Sequence, residues 1–146
     1  MNYELIRELI EQNRARITFA QYGEGTPDEW IENAQFRLGV RFPPSYVWWL
    51  KSYRGGGIDG EEISSVYNPG YAHIPGGDIV YMNELEQKDG IFSSHQLVIQ
   101  HNDFGEDYFL ALDEPDVSGE CPVYVAPYYE KYADSFIQFL EKKLNY

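Results

Sequence analysis

Apolar residues recur at three- and four-residue spacing in the first third of this chain and fall into short blocks after it. Leu5, Ile6, Leu9 and Ile10 form one stripe and predict a helix from Asn2 to about Arg16. Thr26-Pro27-Asp28-Glu29 reads as a helix start, with Thr26 as cap, Pro27 at the first helical position and Glu29 completing a capping box. Trp30, Ile31, Ala34 and Leu38 then lie on one face, and Gly39 follows as a left-handed terminus. A further helix is predicted from Pro44, burying Tyr46, Trp49, Leu50 and Tyr53. It is stopped by Gly55-Gly56-Gly57, where continued helix is entropically poor.

Beyond the glycines the pattern changes to strands: Ile63–Tyr67, Ile79–Met82, Leu97–Gln100, Tyr108–Leu112 and Val123–Val125. The third and fourth are apolar on both faces, which predicts central strands covered from two sides, with Asn102–Asp107 joining them as a hairpin connection. Asn68-Pro69-Gly70, Pro75-Gly76-Gly77 and Glu114–Glu120 are loops, and a last helix from about Lys131 to Leu144 turns Phe136, Ile137, Leu140 and Leu144 inward. The expected architecture is α+β: a mainly antiparallel sheet of about five to six strands flanked by N-terminal helices and a C-terminal helix. A length of 146 residues suits a single domain over 1–146.

Charge changes this picture. Residues 1–54 hold seven acidic and seven basic side chains, whereas residues 55–130 hold fifteen acids and only Lys88 as a base, a segment charge of −14 within a total of −13. Direct nucleic-acid binding by that segment is opposed, because phosphate recognition needs basic groups. A basic protein partner is attracted and its approach accelerated. No apolar run is long enough to span a bilayer, the N-terminus lacks signal-peptide character, and one cysteine, Cys121, fits a reducing compartment. A cytoplasmic protein is expected.

Enzyme signals are few. His95, His101 and Asp103 match no common metal-ligand spacing, so a metal-dependent hydrolase is the weaker alternative and no metal or cofactor is expected. His73 reads as a loop histidine. Cys121 sits among acids, opposite to the electropositive setting a nucleophilic thiolate needs, and reads as a packing residue. Ser135 has no base at helical spacing, and it and Asp134 are expected to serve the helix start or a local hydrogen bond. The glycine run lacks the Lys-Ser/Thr of a phosphate loop. Adjacent acids such as Glu61-Glu62 and Asp113-Glu114 read as solvated faces.

The order of certain motifs resembles the SUKH superfamily, which contains yeast cell-wall synthesis regulators and bacterial toxin-immunity proteins. The matching features are Leu38-Gly39, Phe42-Pro43-Pro44-Ser45-Tyr46, Trp49-Leu50 and the glycine run; then Asn102 to Tyr108 with Leu112-Asp113, Gly119 to Tyr124, and Ala133 to Leu140. Gln35 and Phe42 depart from the usual acid and leucine. The resemblance implies a non-enzymatic immunity protein that binds a cognate toxin, a nuclease with a basic cleft, and occludes its active site; a regulatory scaffold for a cellular protein is the alternative. Asp59, Glu61, Glu62, Asp103, Glu106 and Asp107 are the candidate acidic contacts, with Tyr71 and Phe104 as aromatic anchors.

Overall fold

Gly39 ends its helix in the left-handed conformation (φ 67°) and accepts no side chain in its place without strain, which sets the turn into Pro43. That turn separates α2 (Asp28–Leu38) from α3 (Pro44–Tyr53), as the punctuation predicts. In the computed structural model, which describes residues 3–69 and 77–145, α1 (Tyr3–Gln12) precedes this pair. The hairpin β1 (Gly56–Ile58) and β2 (Glu61–Ile63) follows, then α4 (Ile79–Lys88). The antiparallel sheet β3 (Gln96–His101), β4 (Asp107–Ala111), β5 (Val123–Ala126) and β6 (Glu130–Ala133) pairs in chain order, and α5 (Phe136–Leu144) closes the chain. The fold is α+β, as expected.

Tyr46, Trp49, Leu50 and Tyr53 are completely buried on α3, and the edge of Phe136 meets Tyr46 at 5.0 Å between ring centroids. Each such ring contributes on the order of 2 kcal/mol by burial. This main core lies between the helices and one sheet face; Phe92, Val98, Phe109 and Ala126 make a smaller core on the other face. Leu97, Val98 and Ile99 are therefore buried on both sides, and so is most of β4. β3 ends the four-stranded ladder, yet its free edge is met: the Asn83 side chain accepts from Val98 N and donates to Val98 O, and Ser64 N donates to Ile99 O. Side-chain cover of this kind blocks edge-to-edge pairing.

Several expectations are corrected. Ile79–Met82 is the first turn of α4, because the Asp78 carboxylate caps it by accepting from Val80 N and Tyr81 N. The last helix starts at Phe136, capped by Ser135, and the residues before it form β6. The first helix ends at Gln12 and a 3-10 turn covers Arg14–Arg16; Leu5 in its stripe is exposed. Thr26 does not cap α2; it donates to the carbonyls of Leu50 and Arg54 and ties the loop to α3. The strand predicted over Ile63–Tyr67 is displaced to Glu61–Ile63, and Ser65 makes only an isolated bridge to Asp78. The glycine run is partly strand: Gly56 enters β1 so close to Thr18 that a Cβ there would lie 2.7 Å from the Thr18 carbonyl.

Candidate functional site

The β1–β2 turn is Asp59-Gly60, both at positive φ (52° and 83°), the two-residue hairpin geometry that an Asp-Gly pair favours. Asp59 is already engaged. Its carboxylate accepts from Arg16 Nε at 3.0 Å and Nη2 at 2.7 Å, and Arg16 also donates to the Leu144 and Lys143 carbonyls at the end of α5. The guanidinium holds Asp59 below the usual carboxylate range. Asp59 is thus a latch between hairpin and C-terminal helix.

Strand alternation sends the next two acids to opposite sides. Glu61 joins a shelf of about 330 Å³ with Tyr108, Tyr132, Gln100 and Lys143. The Lys143 ammonium sits 4.0 Å from the Tyr108 ring centroid; burial lowers its pKa, and Glu61 and Glu106 act in the opposite direction. The β3–β4 connection brings Glu106 here. Asn102 organises that loop, its side chain accepting from Phe104 N and Glu106 N and donating to Glu106 Oε1 at 2.7 Å. Phe104 at the tip is 84% exposed, and Asp103 beside it is exposed as well. Asp107 turns away: it bonds His101 Nδ1, while His101 Nε2 faces Glu86 at 3.4 Å.

Glu62 points into a separate cleft of about 450 Å³ lined by Trp30, Arg54, Gly55, Tyr67 and Asn68. It accepts the Tyr67 hydroxyl, whose pKa is raised first by burial and then by that carboxylate. Arg54 follows the last residue of α3 with φ 67° and ψ −35°, and the Gly55 amide donates to the Tyr53 carbonyl at 2.7 Å. This is a γ-turn of positive φ, a strained geometry for a residue with a Cβ, costing about 1–3 kcal/mol. Its side chain makes no hydrogen bond or ion pair among the described residues.

The structure therefore brings Glu61, Glu106, Asp103 and Phe104 to neighbouring hairpins, diverts Glu62 to the cleft, and pairs Asp59 and Asp107 internally. Tyr71 and His73 lie outside the described residues. His95, His101 and Asp103 do not converge, and among the described residues no three His, Cys, Asp or Glu side chains are placed to share a metal ion. Cys121 is buried and its thiol is pushed up to about 11 by burial and by surrounding acids, which suits packing rather than nucleophilic chemistry. Sequence reasoning missed Lys143 and Arg54. Lys143 follows Phe139 by one helical turn, a spacing that signals contact; nothing local signals the strain at Arg54.

The SMI1-KNR4 cell-wall family model (SUKH_6) matches residues 28–140, from the start of α2 into α5. The chain belongs to this family. The SUKH family includes toxin-immunity proteins and its members are generally non-catalytic immunity or regulatory proteins. A solved structure described as a protein from Pseudomonas syringae pv. tomato is similar in fold, with a TM-score of 0.67 and 14% identity over 96% of this chain and 99% of that one. As for the membrane, no helix among the described residues is long and apolar enough to cross one.

Proposed function

We propose that this SUKH protein is an immunity protein that binds a cognate toxin, a nuclease, and covers its basic active site with the two acidic hairpins. The observation that carries the reading is the exposed Phe104 standing at a loop tip between Asp103 and Glu106, with Glu106 and Glu61 of the adjoining hairpin both close enough to act on Tyr108. An exposed ring among carboxylates offers one apolar anchor and a field that draws in a basic surface. Of the acidic contacts expected from sequence, exposed Asp103 and half-buried Glu61 and Glu106 serve this role. Asp59 and Asp107 support the hairpins, Glu62 belongs to the cleft, and Tyr71 remains a proposed anchor. The activity is binding within the cytoplasm, with no catalytic step.

Co-expression with a toxin candidate encoded beside this gene tests this. The wild-type chain is expected to restore growth and to co-purify in a one-to-one complex. The triple variant E61K/D103K/E106K is expected to fold, to associate at least about tenfold more slowly and to protect poorly. Full protection by that variant removes the acidic-surface mechanism.

A further inference from the structure

The sheet face that carries Phe109 has a second feature that the hairpin tips do not share. Between the residues preceding β3 and the β5–β6 turn lies a groove of about 290 Å³. Phe109 forms its buried floor. Tyr124 stacks on that ring with centroids 5.8 Å apart and planes 20° from parallel, and Tyr129 meets it edge-on at 5.9 Å. Tyr129 is held at φ 58°, by a turn in which its amide donates to the Val125 carbonyl at 2.7 Å, and it still exposes 53% of its surface. Its neighbour Tyr128 is 61% exposed.

Two carboxylates complete the rim. Glu114 Oε1 accepts the Tyr124 hydroxyl at 2.9 Å, which leaves its second oxygen for another donor. Asp113 makes no hydrogen bond or ion pair among the described residues. Lys131, opposite Tyr124 in register, donates its ammonium to Asp134 at 2.6 Å and reaches Tyr124 and Glu114 only through its charge. His95 lies on the opposite rim and is exposed. Electron-rich ring faces beside carboxylates with spare acceptor capacity favour a cation, and a planar guanidinium satisfies both at once by stacking on a ring and donating through its fork.

We propose that this groove seats an arginine side chain of a basic protein partner, with Tyr124 and Tyr129 as its walls and Asp113 and Glu114 as its acceptors. The choice of occupant follows from charge complementarity, since the whole groove lies inside the segment of charge −14. It rests on the reading of the chain as a protein binder and adds a contact point on the sheet face, distinct from the Asn102–Glu106 tip.

Titration of the full-length, isotope-labelled chain with acetyl-Gly-Arg-Gly-amide, followed by amide chemical shifts at low salt and pH 7.5, tests it without any toxin. Saturable shifts confined to residues 93–96, 111–114 and 124–129 are expected, with the lysine counterpart weaker by about threefold. D113N/E114Q, and separately Y129A, should weaken arginine binding about fivefold or more and leave the shifts of β3 and β4 core residues in place. Shifts centred on the hairpin tips, absence of saturation, or unchanged binding in D113N/E114Q overturns the proposal. Groove binding in a chain that gives no toxin protection sustains the groove and removes immunity; protection without any groove shifts does the reverse.

Discussion

Replacing Glu120 by alanine should destabilise the protein more than any comparable change at an exposed acid. Glu120 is 4% exposed, and its carboxylate accepts from the Ser45 amide at 3.0 Å and the Ser45 hydroxyl at 2.7 Å, in the first turn of α3. Pro43, the residue before that helix, makes no side-chain cap, so the carboxylate does the capping from seventy-five residues away. Hydrogen bonds to a charged group contribute about 1.5–3 kcal/mol each, and a buried amide left without an acceptor costs about 1–3 kcal/mol. The serine hydroxyl rotates to a new partner, which removes part of the penalty. The negative charge at a helix N-terminus adds about 0.3–1 kcal/mol. Together these give a loss of about 2–4 kcal/mol for Glu120→Ala, a drop in Tm of about 10 °C for a chain of this size. Glu120→Gln keeps an acceptor and loses the charge, and should cost about half as much. Urea denaturation followed by tryptophan fluorescence reads both, because Trp48 and Trp49 lie on α3. A change below about 0.5 kcal/mol for Glu120→Ala, the range of ordinary surface substitutions, would refute the capping argument, and equal losses for both variants would assign the effect to charge alone.

Two further predictions follow from backbone strain and from burial. Arg54→Gly should raise stability by about 0.5–2 kcal/mol, the strain of a positive-φ γ-turn less the extra unfolded-state entropy of glycine; Arg54→Ala, which keeps the strain, should be neutral in the same melting assay, and a destabilised glycine variant would contradict the geometry. Asp78 is buried and its pKa is raised, first by desolvation, against the lowering effect of the amides it caps. The folded state then holds a proton that the unfolded state has released, so stability falls as pH rises from about 4 through the folded pKa. Asp78→Asn should lose that slope and keep the cap, so that its stability relative to the wild-type chain increases across the window; a relative decrease in denaturation midpoints would reverse the sign.

Legibility in the sequence tracked the range of the interaction responsible. The α2–α3 corner was readable because Gly39 and the Pro-Pro pair act on their own neighbours. The apolar blocks of β3 and β4 were readable because burial on both faces needs nothing but composition. Ile79-Val80-Tyr81-Met82 misled because it is β-branched and aromatic, while the deciding residue was the polar Asp78 before it. Glu-Lys-Tyr-Ala at residues 130–133 has no strand alternation of its own and is a strand because β5 lies beside it. The Asp59-Gly60 pair was a hairpin signal available in the sequence, masked by flanking strands of three residues, one of them rich in glycine. The acidic character of the middle segment was legible; the partners of its acids were not, because Arg16 reaches Asp59 across forty-three residues and Ser45 reaches Glu120 across seventy-five.

That distinction reshapes the argument from charge. The segment charge of −14 overstates the surface available to a partner, since several of its acids do structural work: Asp59 latches Arg16, Glu84 pairs with Arg37, Asp78 and Glu120 cap helices, and Asp107 holds His101. The other acids include Asp103 with half-buried Glu106 and Glu61 at the hairpins and Asp113 with Glu114 at the groove, besides Glu62, Asp89, Asp116 and Glu130, which are exposed as well. The first two groups stand beside exposed aromatic surface, Phe104 in one case and Tyr129 in the other. Acids placed only for solubility have no reason to collect around exposed rings, because an exposed ring works against solubility. Under the proposed immunity role, the two aromatic-flanked groups would divide the contact with a basic partner between steering at the tips and seating in the groove.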